Sequence, residues 1–94
     1  MKYYIGKILE RNGDFEYTDM YLFRTELDPE KFAEDTAGSW RPNTNWSSAH
    51  QGYWCDHTLI FSEGCTEITE EEFVVLNKFI PVIAGWQGES NETI

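Results

Sequence analysis

Positive charge is what this 94-residue chain has least of: seven Lys and Arg stand against seventeen Asp and Glu, for a formal charge of −10. So few cations exclude the basic footprint with which proteins hold a phosphate backbone, so direct nucleic-acid binding is not expected. The same charge predicts repulsion from anionic membrane surfaces. Long apolar runs are absent too, and none nears the roughly 18 residues that cross a bilayer. The opening residues Met1–Lys7 lack the apolar block and small-residue cleavage site of an export signal, which leads us to expect a cytoplasmic protein. Cysteine is limited to Cys55 and Cys65, expected as reduced thiols in such a compartment.

What is present is enough to fold. A hydrophobic fraction of 40%, with 16% aromatic residues, argues against intrinsic disorder. Each buried Phe, Tyr or Trp removes about 150–250 Å² from water, which matters in a chain short enough to have only a small core. Length gives one domain, expected over residues 1–84, with 85–94 as a loosely ordered tail.

Asn12-Gly13 lies between two strand-like stretches, 2–11 and 14–25, and is a strong hairpin signal because both turn positions favour positive φ. Phe15, Tyr17, Tyr21 and Phe23 alternate along the second stretch, and Asp19 interrupts them, suggesting a bulge near Thr18-Asp19. Asp28-Pro29-Glu30 opens a helix: an N-cap acceptor, a proline suited to the first helical position, and Leu27 and Phe32 as a hydrophobic staple. Phe32, Ala33, Thr36, Ala37 and Trp40 recur at helical spacing up to Gly38. Residues 38–57 have the composition of a long loop. Two short strands are expected at 57–61 and 65–68 around Ser62-Glu63-Gly64. Thr69 and Glu72 form a capping box for a second helix, with Phe73, Leu76, Phe79 and Ile80 as its buried stripe until Pro81. The expected fold class is α+β, in the order ββαββα, with a single antiparallel sheet and two helices packed on one face.

Five constellations could carry function. His50, Cys55, His57 and Cys65 are all legitimate zinc ligands, but they lack the paired spacings of known zinc sites and are weak candidates. A Cys55/His57 nucleophile–base pair, or a metal-dependent enzyme built on it, lacks an adjacent glycine-rich turn or helix start to stabilise an oxyanion. The carboxylates are too numerous for any one to be picked out as a catalytic acid, and Glu70, Glu71 and Glu72 suit the dipole of a helix's first turn. No catalytic residue, cofactor or metal is therefore expected.

The excess acid is the fourth candidate. Asp14 and Glu16 would stand about 6.6–6.8 Å apart on one strand face, with the helix acids Glu30, Glu34 and Asp35 extending the row if the elements adjoin, and Asp19 is expected among the partner-binding acids. Such a row competes for cationic grooves that hold DNA or RNA. Small acidic inhibitors of restriction enzymes and CRISPR effectors, anti-defence proteins of phages and mobile elements, work this way as a class; the parallel is physical and rests on no shared motif. The fifth is the neutral stretch with Trp40, Trp46, Tyr53 and Trp54, of which Trp46 and Tyr53 are expected at an interface. The leading expectation is thus a non-catalytic acidic protein that binds a basic, nucleic-acid-processing partner. The alternative is a structural or regulatory module that homodimerises.

Overall fold

The expected hairpin forms, but one residue later than Asn12-Gly13: Gly13, at φ +62°, and Asp14 make the turn, while Asn12 ends the first strand opposite Phe15 without positive φ. The turn joins β1 (Lys2–Asn12) to β2 (Phe15–Thr25) in an antiparallel pair. In this computed structural model, which describes residues 1–83, the chain continues through α1 (Pro29–Gly38), β3 (Asn45–Ser47), β4 (Gly52–Cys55), β5 (Thr58–Ile68) and α2 (Glu70–Leu76). The strands form one five-stranded sheet in the order β2-β1-β5-β4-β3, with antiparallel neighbours throughout. The α+β class and single antiparallel sheet are as expected, but the order is ββαβββα. Residues 85–94, expected as a tail, lie outside the described residues.

Successive residues of a strand point to opposite faces. Tyr4, Gly6, Ile8 and Glu10 of β1 therefore share a face with Phe23, Tyr21 and Asp19, their partners or near-partners on β2. Helix α1 lies on that face: Phe32 stacks on Phe23 with ring centroids 4.2 Å apart and 3° between planes, and Phe23 stacks in turn on Tyr4. Tyr4, Ile8, Tyr21, Phe23, Phe32, Ala37 and Ile60 form the core, with Trp40 and Tyr53 packed against it.

Helix α2 takes the other face, where its one buried residue, Phe73, meets the ring of Tyr3 at 4.9 Å. Both helices on one side is thus corrected. Tyr3 and Tyr4 are adjacent on one strand, so the two aromatic contacts must fall on opposite sides of the sheet.

Three further expectations change. No bulge forms at Thr18-Asp19, and the β1–β2 register runs unbroken from Lys2↔Thr25 to Asn12↔Phe15. The irregularity is in β5, where Glu63 and Gly64 together oppose Lys7, and Gly64 adopts φ +91°. Ser62-Glu63-Gly64 therefore bends one strand instead of turning between two. Residues 38–57 are also not all loop, since β3 and β4 pair across Trp46↔Tyr53. Finally, α2 ends at Leu76 with Asn77 as its cap, and Phe79 is 82% exposed instead of buried. The chain then turns so that the Leu22 N–H donates to the Pro81 carbonyl at 2.9 Å and the Ile83 N–H to the Leu22 carbonyl at 2.8 Å. That pairing covers part of the free edge of β2.

Tyr21 shows how tightly the core is built. A Cβ on Gly6 would collide with the Tyr21 ring, so only glycine lets the phenol lie across β1. The Tyr21 hydroxyl is buried and has no hydrogen-bond partner of good geometry among the described residues, while the neighbouring Thr36 hydroxyl donates to the Phe32 carbonyl at 2.8 Å. Burial pushes the Tyr21 phenol well above its ordinary range, so it stays protonated.

Candidate functional site

Helix α1 forms where the local chemistry directs it, and its orientation sets the site. Asp28 caps it, accepting the Glu30 N–H at 3.0 Å, and Pro29 occupies the first helical position. Phe32, Ala33, Thr36 and Ala37 fill the buried stripe. Glu30 and Glu34, one turn apart, are left exposed on the flank that looks toward β5 and β4. The Cys65 thiol approaches Glu30 Oε2 at 3.7 Å, and the Tyr53 hydroxyl donates to Glu34 Oε2 at 3.3 Å. Gly38 makes the second contact possible, because a Cβ there would sit 3.0 Å from the Tyr53 ring. Across the β3–β4 hairpin, Trp46 meets Tyr53 edge-on, with centroids 5.3 Å apart and an interplanar angle of 72°. Trp46 itself is 53% exposed.

The thiol and the phenol of this corner are hydrogen-bond donors to its two carboxylates. Burial, then the Glu30 carboxylate, pushes the Cys65 thiol up to about 11. Burial, then Glu34, raises the Tyr53 phenol. Since the thiolate is the nucleophile, a Cys65 thiol held protonated at neutral pH is a poor one. The arrangement can present carboxylates and an indole face to a cation, and nothing in it activates a nucleophile.

Five of the seven Lys and Arg of the chain are paired with carboxylates other than Glu30 and Glu34. Lys2 pairs with Glu67 at 3.8 Å, Lys7 with Glu63 at 3.9 Å, Arg11 with Glu16 at 2.8 Å and Lys31 with Asp35 at 3.0 Å. These pairs are solvent-exposed and each is worth at most about 1 kcal/mol. Arg41 is different: it grips Glu10 through two bonds, Nε to Oε2 at 3.0 Å and Nη2 to Oε1 at 3.1 Å. The Glu10 side chain is only 7% exposed against 54% for Arg41. Hydrogen bonding to Glu10 raises the Arg41 pKa further, with Asp19 contributing through space. The pair lines a cleft of about 360 Å³ that also involves Asn12, Thr44, Cys55 and Asp56. Sequence spacing held no signal for this pair, since its members are 31 residues apart.

The residues expected to bind a partner divide into two groups. Glu30, Glu34, Asp35, Trp46 and Tyr53 come together on the α1 side of the sheet, although Asp35 is engaged with Lys31. Asp19 is half-buried on that same side. Glu16 points to the opposite face, where it is held by Arg11, and Asp14 lies in the β1–β2 turn. The row begun by Asp14 and Glu16 is therefore not continued by the helix acids.

The four weak metal candidates are also apart. His50 stacks on Trp54 at 4.0 Å on the side away from α1, and its Nδ1 lies 2.9 Å from the Ser47 hydroxyl. Cys55 falls on the α1 side, His57 lies in the β4–β5 turn and Cys65 stands opposite Gly6. No three His, Cys, Asp or Glu side chains among the described residues are grouped as metal ligands would be. Comparison with protein-family models, curated proteins and solved structures finds no match to this chain.

Proposed function

We propose that this protein is a non-catalytic binding protein that presents the flank of α1, with Trp46 and Tyr53 beside it, to a basic partner. The observation that carries this reading is the placement of charge. Glu30 and Glu34 stand exposed without an ion-pair partner among the described residues, while Lys2, Lys7, Arg11, Lys31 and Arg41 are each engaged by another carboxylate. One helical turn separates Glu30 and Glu34 by about 6 Å, which suits a Lys- or Arg-lined groove built for successive phosphates. The partner class we favour is therefore a nucleic-acid-processing protein that this chain inhibits by occupying its groove, as acidic anti-defence proteins do. Tyr53 fixes the position of Glu34, and Trp46 adds short-range apolar contact of the kind that anchors interfaces.

Exposed charges are screened beyond about 8–10 Å at physiological ionic strength, so binding of this kind is strongly salt-dependent. Capture of basic proteins from host lysate by the immobilised chain is expected at 50 mM salt and to fall at least tenfold at 500 mM. Capture of equal strength at both concentrations would overturn the reading.

A second reading, a module that homodimerises, is favoured by one observation: α2 and the turn after it leave Val74, Val75 and Phe79 exposed. Light scattering that finds a dimer insensitive to salt would support it.

A further inference from the structure

We infer that the corner formed by Trp46, Tyr53 and Glu34 seats an arginine side chain carried on an extended segment of the partner, which pairs along the free edge of β3. The inference rests on the reading of a basic partner and names the side chain and backbone form that the corner selects. Two independent observations converge on it.

The first is the sheet edge. Strand β3 is last in the order β2-β1-β5-β4-β3, so its outer backbone groups have no strand beside them among the described residues. At the opposite edge, β2 is bridged at Leu22 by Val82. An extended peptide added to an open edge gains main-chain hydrogen bonds, and its alternate side chains fall on one face of the sheet.

The second is what stands on that face. Trp46 is the central residue of β3, and its cross-strand partner is Tyr53. The indole is half exposed and meets the Tyr53 ring edge-on, leaving ring surface open to solvent. The Tyr53 hydroxyl reaches Glu34 Oε2 at 3.3 Å, so a single phenol ring spans the gap between indole and carboxylate. A planar cation lying on the indole would thus have the carboxylate within reach of its N–H groups. Guanidinium suits this better than ammonium because it stacks on aromatic rings, sheds water more readily and presents several donors in a fixed plane. Glu30, one turn earlier on the same flank, adds negative potential, and no Lys or Arg among the described residues forms an ion pair with either glutamate.

The probes are nona-arginine and nona-lysine, titrated at low salt into the full chain and into Trp46→Ala. The resonance of the Trp46 indole N–H, assigned by its loss in Trp46→Phe, reports occupancy of the corner. Both peptides are expected to bind the wild type, with nona-arginine shifting the indole signal more. Trp46→Ala is expected to weaken nona-arginine about fivefold, the scale of an exposed cation–π contact, and to leave nona-lysine nearly unchanged. Two peptides bound by the wild type but equally affected, or equally unaffected, by Trp46→Ala would overturn the arginine corner while leaving the basic-partner reading intact. Failure of both peptides to bind the wild type would overturn both.

Discussion

Phe32→Ala is expected to cost about 3–5 kcal/mol of folding stability, enough to leave much of the protein unfolded at 37 °C. Phe32 is completely buried and lies flat on Phe23, which itself stacks on Tyr4 and Tyr21. Truncation removes the only large apolar side chain that α1 places between Phe23 and the helix axis, and the stacked rings below cannot move up to fill the space. The nearby Leu27 makes the control. It is 55% exposed, so Leu27→Ala should change stability by no more than about 0.5 kcal/mol. Urea unfolding followed by far-ultraviolet circular dichroism measures both. A Phe32→Ala midpoint close to wild type would mean that α1 is not fixed to the sheet as described, and the placement of Glu30 and Glu34 would lose its basis.

Arg41→Ala is expected to cost about 2–3 kcal/mol at neutral pH. Removing one member of a buried ion pair leaves its partner charged and poorly solvated, which costs about 3–5 kcal/mol when both are inaccessible. Arg41 is half exposed, so water entering from the cleft beside it takes up part of the loss. Lys31→Ala, which breaks an exposed pair one turn apart on α1, should cost no more than about 0.5 kcal/mol. Adding Glu10→Gln to Arg41→Ala should recover at least half of the deficit, because the uncompensated charge is then gone. A deficit that persists in the double variant would assign the cost to lost packing of the Arg41 stem.

The parts of the fold written in local chemistry were legible. The β1–β2 hairpin (though its turn is Gly13-Asp14, one residue on), the Asp28-Pro29 helix start and the Thr69/Glu72 capping box each depend on residues within a few positions of one another. What escaped depended on distant partners. The β3–β4 hairpin is too short, three and four residues, for alternation to declare itself, and it is held by the Trp46–Tyr53 contact and by the Tyr53 ring against Gly38. Ser62-Glu63-Gly64 has turn chemistry, yet β1 runs alongside it on both sides and makes it a bulge. Phe79 fits a helical stripe in sequence, but α2 has already ended when the chain leaves to pair beside Leu22.

The site was half legible for a similar reason. That Glu30 and Glu34 share a helix flank follows from their spacing, and an exposed Trp46 follows from its polar neighbours. Which carboxylates would be neutralised does not follow, since it required knowing that Arg11 faces Glu16 across a hairpin and that Arg41 returns to Glu10.

In the proposed function, uncompensated acid on the flank of α1, and not the overall charge of the chain, engages the partner. The most direct test is capture of basic lysate proteins by Glu30→Lys/Glu34→Lys beside Glu70→Lys/Glu71→Lys, a pair with the same change of net charge on the exposed first turn of α2. The α1 pair is expected to lose at least tenfold of the captured material and the α2 pair to stay within about twofold of wild type. Equal losses from the two pairs would contradict that role of the α1 acids.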